Sequence, residues 1–208
     1  MKRTEDYLFS KVAGFACDVE ALKRHFHDTV AQFPATNYRD NRVDYIGWAV
    51  TSRDGSLVDG VQRIATKASP GAKLNNKRGM TRTDICTGAL EATMDTLETC
   101  GFRPYRARLM CLRNEGEAMP FHTDDKRETW RLHIPIATNA HCFFEWRRSD
   151  GRIESVHLPA DGSAWLVRVD IDHRAVNRSG TPCERVHLLM GLNALPDLAR
   201  LGQPSLLV

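Results

Sequence analysis

The chain has 208 residues, 42% of them hydrophobic, and a formal net charge of +3. This suits one domain with a real core and excludes global disorder, while so mild a charge excludes a strongly basic nucleic-acid binder. No stretch approaches the roughly 20 apolar residues of a membrane span, and "MKRTEDYLFSKVAGFACDV" lacks the apolar run of a signal peptide.

Cys17, Cys86, Cys100, Cys111, Cys142 and Cys183 are scattered, form no CxxC pair and sit mostly in apolar segments. That pattern predicts reduced thiols rather than a zinc site or a disulfide framework. A cytoplasmic, soluble protein is expected, with a small-molecule partner, no nucleic acid and no membrane; a homodimer stays open.

In chain order, "DVEALKRHFHDTVAQF" predicts the first helix. Asp18 is its N-cap, and Ala21, Leu22, Phe26, Val30 and Phe33 recur at helical spacing. "VDYIGWAVTSRDGS" reads as a strand closed by the Asp54-Gly55 turn. Tyr45 and Trp48 on it are candidates to line a substrate pocket. The breaker-rich "ASPGAKLNNKRGMTRTD" reads as a loop. Its Lys73, Lys77, Arg78 and Arg82 offer a lid toward an anionic substrate, with Arg82 the substrate-site candidate. "GALEATMDTLET" predicts a second helix that ends at Cys100-Gly101.

The second half changes character. "YRARLMCLRN", "RLHIPIAT", "HCFFEW", "ESVHLPA", "SAWLVRVDI" and "ERVHLLMGL" are short β-like runs between turn residues. They predict an antiparallel sandwich or barrel. The expected organisation is a single domain over 1–208. Residues 1–103 supply helical and strand support and substrate-side elements, 104–192 the β core, and 193–208 a tail.

Three features in the β-rich half carry chemistry. In an extended segment His122 and Asp124 project to the same side. His173 stands at the end of "SAWLVRVDIDH", and Arg185 follows inside "ERVHLLMGL", in phase with His187. Two histidines and a carboxylate are the ligand set of non-haem Fe(II) oxygenases, holding one face of an octahedral ion and leaving the other open. Asp125 and Asp172 are out of phase for the carboxylate role. A guanidinium inside a barrel needs an anion, and a carboxylate taken through two N–H groups is its natural partner.

The set H-x-D (His122, Asp124), R-x-H-x-P (Arg131, His133, Pro135), H-x-x-x-N (His173, Asn177) and R-x-H-L (Arg185, His187) spans roughly Arg106 to Leu192. It resembles the aspartyl/asparaginyl β-hydroxylase family, within it the bacterial proline-hydroxylase branch of the Fe(II)/2-oxoglutarate-dependent dioxygenases. The resemblance implies a double-stranded β-helix, a cupin-like jelly roll, mainly β (α+β) with N-terminal helices packed outside. It implies iron on His122, Asp124 and His173, and Arg185 on the distal carboxylate of 2-oxoglutarate. Arg131 and His133 would make further co-substrate contacts near the other carboxylate, Asn177 would shape a turn, and O2 would be the second co-substrate. The expected reaction is hydroxylation of an unactivated C–H of an amino acid, free or within a peptide or specialised metabolite. Asp124 fills a position that some relatives leave vacant, which argues against halogenation. Two rival readings remain: a protein-residue (Asp/Asn-type) hydroxylase with an open groove, and a non-enzymatic cupin-like binding protein.

Overall fold

The computed structural model describes residues 7–37, 45–57, 79–113, 118–124, 129–178 and 184–192. Alternation of side chains along the strands decides the architecture. Seven strands form the larger sheet: β1 (Phe9–Lys11), β10 (Trp165–Arg168), β7 (Trp130–Ala137), β12 (Arg185–Leu192), β6 (Pro104–Leu112), β3 (Tyr45–Ala49) and β2 (Thr36–Asn37), in that spatial order. Every pairing in it is antiparallel. A smaller sheet has the order β11 (His173–Asn177), β8 (Cys142–Arg147), β9 (Ile153–Val156), and β4 (Thr51–Ser52) pairs with β5 (Thr81–Arg82) as a ribbon.

One set of alternate residues on the larger sheet is aliphatic: Leu132, Ile134 and Ile136 on β7, Val186, Leu188 and Met190 on β12, Leu109 on β6. These bury against the helices α1 (Val19–Asp28) and α2 (Gly88–Thr99) through Leu22, Phe26, Leu90, Met94 and Leu97. The other set holds Arg131, His133, Arg185, Leu189, Arg108 and Met110, and it lines a cleft together with Phe144, His173 and Ala175 of the smaller sheet. A slip of one residue in any of these strands would exchange the two faces, so the apolar pattern that packs the helices also aims the polar residues inward.

The helices start and stop where their termini are satisfied. Asp18 caps α1 by accepting the Ala21 N–H at 2.9 Å. The predicted remainder of that helix tightens into a 3-10 turn over Val30–Gln32. At the end of α2, Gly101 adopts a φ of 87°. Its N–H donates to Glu98 O and that of Phe102 to Leu97 O, both at 3.0 Å. This is the paired capping arrangement that a glycine in the left-handed region allows. Among the described residues no helix is long and apolar enough to cross a membrane.

Two strands differ from the sequence expectation. β1 spans only three residues and owes its existence to pairing with β10, from Phe9↔Val167 to Lys11↔Trp165. His173 does not end the run "SAWLVRVDIDH". β10 stops at Arg168, and after a bend His173 opens β11 in the other sheet. Asn177 likewise sits at the buried end of β11 rather than in a turn, its Oδ1 accepting from Cys142 Sγ at 3.5 Å.

Trp146 joins the two sheets. It is fully buried, stacks with Phe9 at 5.9 Å, and donates its indole N–H to Arg168 O at 2.9 Å. Trp146→Phe keeps an aromatic ring but strands that carbonyl. The expected loss is about 1–3 kcal/mol of unfolding free energy, read by urea denaturation; an unchanged midpoint would mean that the cross-sheet bond contributes nothing.

Candidate metal centre

The segment 118–124 runs alongside β11 and is tied to it through the main chain. Met119 N–H donates to Ala175 O at 3.0 Å, and Asp124 N–H to Val169 O at 2.9 Å. Between them His122 and His173 exchange both backbone hydrogen bonds, at 3.0 and 2.9 Å. Residues paired in this way lie directly opposite each other with side chains on one face. The two imidazoles stand 4.5 Å apart between ring centroids. Asp124, two residues on, joins them, and one ligand atom from each of the three residues lies within 4.8 Å of the others.

Both histidines are oriented alike. His122 Nδ1 lies 2.9 Å from Pro120 O, and His173 Nδ1 lies 2.8 Å from Ile171 O. A carbonyl only accepts, so each Nδ1 carries the proton and each Nε2 lone pair is left for a metal. Phe144 stacks flat on the His173 ring at 5.3 Å and holds its plane.

The electrostatics suit a cation. Burial pushes His173 down to about 4, against a smaller upward pull from Asp124, so the ring is neutral at pH 7. Burial alone would raise the Asp124 carboxyl; the Arg131 guanidinium, followed by the neighbouring histidines and Arg108, outweighs it and holds the carboxyl below its usual range. Two imidazoles and a carboxylate, converging beside an open cleft, fit Fe(II) by donor type and count.

That cleft is open to solvent on one side. Tyr45, Arg108, Arg131, His133 and Arg185 line it, as do two of the three ligand candidates, His122 and His173. Arg185 is 2% exposed, and burial lowers its pKa. Its Nη2 lies 3.4 Å from His187 Nδ1.

The chain has no match among protein-family models, and none among curated proteins. Solved structures do match. An oxidoreductase of the 2OG-Fe(II) oxygenase family from Burkholderia pseudomallei aligns with a TM-score of 0.54 at 13% identity, over 88% of this chain and 83% of that one. A prolyl hydroxylase from Trichoplax adhaerens, in complex with a hypoxia inducible factor oxygen degradation domain peptide fragment, gives 0.53 at 11% identity, over 91% and 84%. This is the 2OG-Fe(II) oxygenase fold. At such identities the likeness is one of fold, a double-stranded β-helix with helices outside.

Within that fold, two sequence expectations need correction, those for Trp48 and Arg82. Arg131 lines the cleft, and its Nη1 lies 2.6 Å from Asp124 Oδ2. Its immediate partner is the candidate metal carboxylate, because the register opposite Val167 carries it to the Asp124 end of the sheet. Trp48 faces the helices and not the cleft: it packs edge-on against Phe26 at 5.4 Å and donates Nε1–H to Phe33 O at 2.9 Å. Alternation in β3 puts Tyr45 on the cleft side and Trp48 on the other. Arg82 pairs with Asp95 and sits 3.5 Å from Glu91 and 3.6 Å from Glu98 on α2, so its charge serves the acidic face of that helix. Lys73, Lys77, Arg78 and Asp125 lie outside the described residues.

Arg108 escaped the sequence reading. The signal was an arginine in the apolar run "YRARLMCL", in phase with Met110, on a strand whose other face is aliphatic.

His133 and His187 are buried edge to face at 5.7 Å, and burial followed by the Arg185 charge pushes both well below the usual histidine range. Folded, they stay neutral where the unfolded chain takes up protons below about pH 6.5. The unfolded state then binds more protons, so stability falls as pH falls. In metal-free protein the two groups together should remove up to about 2.7 kcal/mol per pH unit below that point. His173, held at about 4, adds a third neutral ring to that slope. Urea denaturation at stepped pH checks it, and His187→Leu should remove about a third of the histidine part; a flat profile from pH 6.5 to 5 would refute the neutral rings.

Proposed function

We propose that the chain is an Fe(II)- and 2-oxoglutarate-dependent dioxygenase that hydroxylates an unactivated C–H of an amino acid or amino-acid-derived molecule. One observation carries this reading: His122, Asp124 and His173 converge at the wall of a cleft that also holds the buried Arg185. The overall reaction balances as R–H, O2 and 2-oxoglutarate giving R–OH, succinate and CO2. Bound iron would supply the oxidising chemistry.

The protein's own part is placement. His122 and His173 present Nε2 because their Nδ1–H groups are held by carbonyls. Arg131 keeps Asp124 ionised and fixes its direction. Arg185, with Tyr45 nearby on the same wall, takes the distal carboxylate of 2-oxoglutarate, and His133 lies between that arginine and the metal end. Phe144, Val169 and Leu189 supply the apolar part of the wall beside it. The proline-hydroxylase-like branch of the aspartyl/asparaginyl β-hydroxylases is favoured by the four sequence motifs. A free amino acid fits the resemblance carried by those motifs; the Trichoplax neighbour, by contrast, was solved with a peptide fragment.

The test is anaerobic addition of Fe(II) and 2-oxoglutarate, followed by air and a panel of free amino acids. A weak visible charge-transfer band should form, and succinate should then appear only with O2. Neither band nor succinate would leave the binding-protein reading in its place.

A further inference from the structure

Three guanidinium groups line the cleft, and they occupy different stations. Arg131 lies against Asp124 at one end. Arg185 pairs in register with Leu112, which also pairs with Tyr45. Arg108 belongs to another row: Leu189 pairs with Arg108 on one side and with His133 on the other, so these three side chains share the cleft face. Arg108 and Leu112 are separated by about 13 Å of strand. The two guanidiniums therefore start from separate points on the wall and are suited to two anions rather than one.

Arg108 is only 2% exposed although it faces the cleft. Its row reaches His133 through Leu189, and Arg131, which lies against Asp124, is two residues from His133 on the same strand, which places Arg108 toward the metal end. A guanidinium has five donors, so contacts within the protein do not prevent it from also serving a ligand. Beside it the wall turns apolar: Tyr45, Met110, Met119, Ala175 and Leu189 pack together as a small buried cluster that borders the same space. Gly47 is part of this design, because a Cβ there would come within 2.4 Å of Met110 Sδ. The cleft thus offers a buried cation next to a hydrophobic surface made adaptable by two methionines.

We propose that Arg108 holds the carboxylate of a substrate whose carbon chain lies against Met110, Met119 and Leu189, so that the substrate class is a small acid with an apolar body. This rests on the dioxygenase reading, in which Arg185 is already engaged by 2-oxoglutarate. Substrate and co-substrate would then each bring one carboxylate to its own arginine, and the apolar wall would select among acids by chain.

The test is equilibrium dialysis of L-leucine, L-proline and hexanoate, each against its carboxamide, with 2-oxoglutarate saturating and with or without Fe(II) under argon. At least one acid should bind about tenfold or more tighter than its amide, and Arg108→Gln should remove that preference, as expected for a lost charge-assisted pair. Arg108→Lys should retain part of it, which separates loss of charge from loss of fold. Acids and amides binding alike, no acid binding at all, or Arg108→Gln weakening 2-oxoglutarate as much as Arg185→Gln does would each overturn the assignment. The visible iron band read in the same samples keeps the two proposals apart. Selective acid binding without the band leaves the anion site standing and the dioxygenase reading fallen; the band without acid binding does the reverse.

Discussion

His173→Ala is expected to weaken Fe(II) binding by more than about 100-fold, beyond the usual cost of disturbing a group that merely supports a ligand. The size follows from geometry. His122 and His173 share two main-chain hydrogen bonds, so truncating the imidazole leaves the backbone pair intact and removes only a donor. Two protein ligands on a hydrated ion cannot replace three that are already aligned. His173 is also the ligand candidate most fixed by its surroundings, with Phe144 on one ring face and Ile171 O on Nδ1. The measurement is Fe(II) affinity by competition with a chelator, alongside O2-dependent succinate release. His141→Ala serves as control, because His141 is exposed. Iron affinity within about threefold of wild type in His173→Ala would remove the metal centre from its proposed place, since direct ligation is what the distances imply.

The parts of the fold that could be read from the chain are those where one physical preference acts alone. "RLHIPIAT" and "ERVHLLMGL" alternate so strictly that both faces of β7 and β12 are legible, and the aliphatic face does pack on the helices. Asp18 and Gly101 declare helix ends through local hydrogen bonding and backbone freedom. β1 and β11 were obscure because they exist through partners. A three-residue strand has no periodicity to detect, and His173 starts a strand only because the chain bends after β10 and pairs with Trp146 across the smaller sheet. The site residues divide in the same way. His122, Asp124 and His173 could be grouped by chemistry, since few other reasons place those donors at such spacing. Trp48, Arg82 and Arg108 could not be sorted by type: an aromatic or an arginine on a strand is defined by which face it takes and what faces it. For Trp48 that was Phe26 and Phe33, for Arg82 the carboxylates of α2, and for Arg108 the cleft itself. Arg131 shows the finer limit. Its motif position led to the right wall, while its nearest partner, Asp124, depends on register between β7 and β10.

Arg185→Gln should raise the dissociation constant for 2-oxoglutarate by about 2–5 kcal/mol, roughly 30-fold to several thousand-fold, the range for truncating one partner of a buried charge pair. The site is arranged for a charge. Arg185 lies at the cleft wall with Tyr45, and burial makes its cationic form costly until an anion is bound. His187 restrains it: Nδ1 faces Arg185 Nη2 at 3.4 Å, and a neutral imidazole can accept there where a protonated one would repel. Arg185→Lys should fall between the two, because an ammonium supplies the charge without the planar fork that grips both carboxylate oxygens. Iron affinity measured without 2-oxoglutarate should stay near wild type in both variants, since Arg185 is not among the ligand candidates. The check is titration of 2-oxoglutarate into the Fe(II)-loaded protein under argon, read at the visible band. If Arg185→Gln shifts that titration by less than about threefold, the co-substrate does not use this arginine, and the buried guanidinium must answer to a different anion.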